Sequence, residues 1–137
     1  MGPLTPKIPP PSFAFLQTEF VELTEGRVVC RFAPTPEMEN PYGVIQGGLL
    51  AAMIDNMVGP AVFSVAPDRR STTIYLSVSF LSPARPGEIL RGVAEVVKAG
   101  RSQVYVEARL EREADGALLV RATATNLLLG DETPPPA

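Results

Sequence analysis

Two hydrophobic rhythms divide the chain. From Leu49 to Phe63 nearly every side chain is apolar or small and Asp55 carries the only charge, a composition that predicts a helix buried on all sides. Further on the period falls from 3.6 to 2. Between Thr72 and Leu81, Ile74, Leu76, Val78 and Phe80 face one way while Thr73, Tyr75, Ser77 and Ser79 face the other, which predicts a strand with one face on the core. Ser82 to Gly87 is a turn, Glu88 to Lys98 a second strand, and Ala99-Gly100-Arg101 a short connection into a third, Ser102 to Glu113. After the Asp115-Gly116 turn, Leu118 to Leu129 makes the last strand. Ahead of the helix, Val28, Cys30 and Phe32 share one face of a strand over Arg27 to Phe32, whereas Phe13 to Glu22 reads as a short helix or an irregular strand. Four strands with short connections after one helix predict an α+β domain, an antiparallel meander with the helix laid across it. That domain spans residues 13–129, between proline-rich tails at residues 1–12 and 130–137. Pro60, whose ring presses on the Asn56 carbonyl, is expected to kink the helix or to end it early.

The stretch feeding the helix is Asn40-Pro41-Tyr42-Gly43-Val44-Ile45-Gln46-Gly47-Gly48. Pro41 and Gly43 punctuate a turn, and Gly47-Gly48 lets backbone come close to a ligand. Asp55 is expected to be buried or half-buried, and its helical neighbours Ala51, Ala52, Val58 and Gly59 offer it no cation. Taking a lone carboxylate out of water costs roughly several kcal/mol unless partners come from elsewhere. Backbone N–H groups at the helix start, with a carboxylate two turns further along, suit attack on a carbonyl. The plainer alternative is that Asp55 only fixes packing and that the glycines form an ordinary loop-to-helix junction.

Composition narrows the chemistry. Hydrophobic residues make up 45% of the 137 and charged ones 20%, as in an ordinary globular chain of one domain. A net charge of -3 argues against a nucleic-acid surface, though a local arginine pocket for a phosphorylated ligand stays open. Cys30 is the only cysteine, which rules out an intramolecular disulfide and disfavours a cysteine zinc site. No apolar segment reads as long enough to span a bilayer and no leader precedes the domain, so the expected setting is the cytoplasm, away from membranes. There is no histidine, which removes Ser-His-Asp and Cys-His arrangements and His-ligated metals. Carboxylate chemistry remains, with no metal and no cofactor expected.

Strand, helix and four further strands, with Asn40, five residues, Gln46-Gly47-Gly48, and Asp55 beyond them, resemble the hotdog-fold thioesterases, specifically the PaaI-like branch of phenylacetic acid degradation. The resemblance covers about Phe13 to Leu129 and includes the Ser82-Pro83-Ala84 turn. It implies an α+β hotdog fold whose sheet wraps one central helix. It also implies that the Gly47 N–H and the Asn40 side chain polarise a thioester carbonyl, and that Asp55 acts across a dimer interface as general base or nucleophile. Family members place a hydroxyl near the attacking water, and Thr73 stands at the matching strand position. Gln46 replaces the branch's usual histidine; it donates a hydrogen bond but cannot shuttle a proton.

The expected activity is therefore hydrolysis of a small or medium acyl-CoA, aliphatic or aromatic, to free acid and CoA, which enters only as part of the substrate. Candidates for the CoA phosphates are Arg101, Ser102 and Gly100 at the hairpin and Arg85 in the preceding turn, although hairpin arginines are usually solvated charge. Met53, Met57, Phe63 and Tyr75 are candidates for an acyl pocket, although such spacings more often mean plain core. The competing readings are a catalytically weakened protein that binds acyl-CoA without efficient hydrolysis, and a purely structural oligomer. A homodimer with a continuous sheet, or a tetramer of two such dimers, is expected because one sheet edge would otherwise stay open.

Overall fold

The computed structural model describes residues 9–130, in which one antiparallel sheet curls around one long helix. The order is α1 (Pro11–Phe15), β1 (Thr18–Thr24), β2 (Arg27–Phe32), a single 3-10 turn (Pro36–Met38), α2 (Gly47–Val65), β3 (Arg70–Phe80), β4 (Leu90–Ala99), β5 (Gln103–Arg112) and β6 (Leu118–Leu129). Phe13 to Glu22 thus holds both expected alternatives, a short helix and then a strand. The N-terminal tail lies outside the described residues up to residue 8, and Pro11 and Ser12 belong to α1. The C-terminal tail lies outside them from residue 131.

The strands run in the order β1-β2-β4-β5-β6-β3. This corrects the expected meander. Of the four strands after the helix, only β4, β5 and β6 follow one another as neighbours; β3 pairs with β6, and the connection after β3 carries the chain across to β2, beside which β4 lies. Short loop lengths had suggested neighbours, but Ile45 N–H donates to the Ala84 carbonyl at 2.8 Å, so the Ser82–Gly87 turn spends its length passing the start of α2.

The sheet buries its concave face on α2. Leu50, Met53, Ile54, Met57, Val58, Ala61 and Val62 recur at three- and four-residue spacing and meet Val28, Cys30, Phe32, Leu90, Val104, Val106 and Leu110. Burying each large side chain contributes about 1.5–3 kcal/mol. Gly92 is required where β4 crosses the helix, because a Cβ there would lie 2.5 Å from Met57 Sδ. Burial pushes the Cys30 thiol up to about 12, so it is an inert core group. Pro60 lies inside α2 and the helix continues past it to Val65.

Burial of α2 on all sides is the second expectation to fail. Gly48, Asp55 and Phe63 are exposed and Ala51, Ala52, Asn56, Gly59 and Pro60 are half-buried, so a side of small and apolar residues faces outward. Hydropathy misled because this side is apolar without being covered by its own chain. By length and composition α2 is also apolar enough to span a membrane, contrary to the sequence expectation, but its other side is packed on the sheet.

A bulge shapes β3. Thr73 pairs with Asn126 and Tyr75 with Thr125, leaving Ile74 as an extra residue, 51% exposed. Simple alternation had put Ile74 on the core face and Thr73 on the other. An inserted residue reverses facing on one side of it, so Thr73 joins Leu76 and Val78 on the helix side and Ile74 is excluded.

Candidate active site

The start of α2 is built by its own approach loop. Asn40 Oδ1 accepts from the N–H groups of Tyr42 at 2.9 Å and Val44 at 3.3 Å, folding the turn through Gly43 at φ 79°. Its Nδ2 makes no hydrogen bond among the described residues and is a free donor. Gln46 is the N-cap, with Oε1 accepting from Leu49 N–H at 3.1 Å. No acidic side chain occupies the first turn, so the positive end of the helix is left for an incoming anion.

The two glycines have separate reasons. A Cβ at Gly47 would stand 3.3 Å from the Phe80 ring, and one at Gly48 would stand 2.9 Å from Gln46 Oε1. Beside Gly47 opens a groove of about 290 Å³ lined by Val44, Ile45, Leu50, Phe80, Leu81 and Pro83, with Ser82 also on its wall. It is apolar apart from that serine and the backbone.

Two turns along, Thr73 Oγ1 donates to Asp55 Oδ1 at 2.9 Å. The bulge at Ile74 makes this possible by turning Thr73 toward the helix. Asp55 is exposed in the single chain, not buried as expected, and no cation pairs with it among the described residues. One carboxylate oxygen is thereby fixed, while Oδ2 accepts no hydrogen bond among the described residues. Beneath, Asn126 is 2% exposed, donates from Nδ2 to Ser71 Oγ at 3.3 Å, and keeps a buried Oδ1 with no partner.

The chain brings Asp55 and Thr73 together, and sets Asn40, Gln46 and Gly47 along the approach loop and the helix start, but does not bring the two groups to each other. Eight residues separate Gly47 from Asp55, about 12 Å along the axis, too far to hold and attack one carbonyl. The phosphate candidates are also split. Arg85 adjoins the Ala84–Ile45 contact near the start of α2, whereas Gly100, Arg101 and Ser102 form an exposed hairpin tied to the far end of β6. The acyl-pocket candidates do not line the groove beside Gly47: Met53 and Met57 are fully buried core, and Phe63 and Tyr75 are exposed at 56% and 59% in the single chain. Tyr75 faces away from the helix, since it alternates with Leu76. Sequence reasoning passed over Phe80 and Leu81 as pocket residues because they were read as the end of a strand. It passed over Asn126 because one amide in an apolar strand carries little signal, although an asparagine amid Leu118–Leu129 is itself the anomaly.

A single sheet curled about one long helix is the hotdog arrangement, and on that helix an acid served by a hydroxyl stands two turns from an open start, as suits the thioester hydrolases built on the fold. The chain belongs to the thioesterase superfamily, whose family model matches residues 42–119. Human acyl-coenzyme A thioesterase 13 is 27% identical over 108 residues, covering 79% of this chain and 77% of that one. Among solved structures, the E. coli PaaI protein from the phenylacetic acid degradation operon matches with a TM-score of 0.82 at 18% identity, over 88% of this chain and 85% of that one. The smu.793 protein of Streptococcus mutans, solved bound to acetyl CoA, matches with a TM-score of 0.79 at 21% identity, over 85% and 91%. At these identities the two structures speak for the fold.

Proposed function

We propose that the protein is an acyl-CoA thioesterase for small or medium acyl groups, working as a two-fold dimer whose sites are shared between subunits. The observation that carries this reading is the separation of Asp55 with its Thr73 hydroxyl from the Gly47 N–H, each open at the surface and neither complete alone. A second copy supplies the missing half. β3 is the edge suited to it: residues 71–81 carry no charge, and Ile74, Tyr75, Phe80 and Leu81 are exposed. The other edge, β1, is broken by a bulge and carries Glu19 and Glu22, features that discourage pairing. Antiparallel pairing of β3 with its copy sets the Phe80 end of one subunit beside the Arg70 end of the other, continuing the sheet.

In this site the thioester oxygen lies on the Gly47 N–H and Asn40 Nδ2, and the acyl group enters the groove against Phe80. The groove's volume falls just below the roughly 300–1,000 Å³ usual for small-molecule pockets, which fits a short chain or a single ring. The partner subunit's Asp55, held by its threonine, takes a proton from water as the water oxygen bonds to the carbonyl carbon, or attacks to give a short-lived anhydride that water then opens. Collapse of the oxyanion breaks the carbon–sulfur bond, and CoA thiolate leaves to be protonated. The human relative's name and the acetyl CoA bound to the streptococcal neighbour support CoA as the carrier.

A panel of short aliphatic, long aliphatic and aromatic acyl-CoAs, read by thiol release, tests this, with Asp55→Asn as control. The expected result is turnover of the short or aromatic members, reduced by about 10²-fold or more in the variant. CoA binding without thiol release would favour the non-hydrolytic alternative, and neither would leave only the architecture.

A further inference from the structure

We infer that Arg69 is a positioning residue that holds the Gly100–Ser102 hairpin in the form that grips the phosphates of CoA; the inference rests on the proposed acyl-CoA reading. One guanidinium spends its fork on three backbone carbonyls from two segments. Arg69 Nε donates to Gly130 O at 2.9 Å, Nη2 to Leu128 O at 3.2 Å, and Nη1 to the carbonyl of Arg101 itself. The hairpin is tied to β6 from its other side by Leu128 N–H donating to Ser102 O at 2.8 Å, and closed by Gly100 N–H donating to Gln103 O at 2.8 Å.

The electrostatic consequence is specific. Three carbonyl oxygens converging at one end of the sheet form a negative cluster that would repel phosphate, and the guanidinium neutralises it while fixing the backbone that carries Arg101. Arg70, Lys98 and Arg101 are exposed at this end and residues 96–106 contain no acid, while the acids adjoining it among the described residues are Asp68 and Glu25. The antiparallel dimer described above carries this end to the partner's groove, where the nucleotide end of a bound thioester must lie if its acyl end rests against Phe80. A lysine at position 69 keeps the charge but cannot reproduce a planar three-carbonyl contact.

The test compares CoA with pantetheine, which lacks the nucleotide and its phosphates, by calorimetry on the full-length protein. Binding needs no turnover, so a wild type that binds CoA but hydrolyses nothing overturns the proposed function and leaves this inference standing. Arg69→Met and Arg69→Lys should each weaken CoA about tenfold, the loss of a charge-assisted contact, with pantetheine binding unchanged and the dimer intact. Arg101→Ala should give the same selective loss. Unchanged CoA affinity in both Arg69 variants, equal weakening of CoA and pantetheine, or a wild type that binds no CoA would each overturn it. In steady state the matching signature is a raised KM for acyl-CoA at unaltered kcat.

Discussion

Thr73 is the residue on which sequence and structure meet most closely. The resemblance nominated it as the hydroxyl near the attacking water, and the structure gives it a 2.9 Å bond to Asp55. In the proposed mechanism its hydroxyl fixes one oxygen of the acid and leaves the other to act, so the bond should matter for rate more than for stability. Thr73→Ala should lower kcat about tenfold or more with little change in KM, while Thr73→Ser should recover most of the loss, because only the hydroxyl is used. Steady-state kinetics on folded variants decides it. Asp55 itself was legible as an unusual residue but for an incomplete reason: an acid in a greasy helix implied burial, whereas the acid stands on an uncovered side. Gln46, the departure from the family pattern, turns out to cap α2, so its amide does work that needs no proton transfer. Asn126 remains the least expected side chain, a buried amide with an unpaired oxygen next to the Thr73 position.

At the scale of elements, strict period-two alternation made β5 and β6 readable to within one or two residues, and the helix declared itself by composition. Two features of β3 did not. Its bulge leaves no mark in the hydrophobic pattern, since Ile74 looks like a core residue, and its pairing with β6 is set by where the Ser82–Gly87 turn must pass, which loop length does not encode. The groove beside Gly47 was missed for a related reason. Met53 and Met57 lie on the sheet side of α2, where apolar residues are packed rather than open, and the groove instead belongs to the junction of the approach loop with the end of β3. Met57→Ala should therefore cost about 2–5 kcal/mol of stability, measured by denaturant unfolding, with the order of acyl preference retained. Phe80→Ala should instead widen the range of acyl groups accepted, because its ring bounds the groove at Gly47.

The molecule as a whole has an inside completed by its own chain and an outside that is not. Its sheet core is closed, yet the face of α2 bearing Asp55 and the uncharged edge of β3 lie together on the surface. The fold class was legible because it depends on periods within the chain. The shared site proposed above was not, because it would depend on a symmetry that one copy of a sequence does not display; only the family resemblance hinted at it. Mixing two disabled proteins tests this directly: Asp55→Asn and Gly47→Val, each first shown to be folded and dimeric by sedimentation, are unfolded together, refolded and assayed for thiol release. If each site takes its acid from one subunit and its oxyanion donor from the other, half the dimers are mixed and each has one intact site, so activity returns to about a quarter of the wild-type value. Folded, mixed dimers that release no thiol beyond the two parents' own background would contradict a shared site.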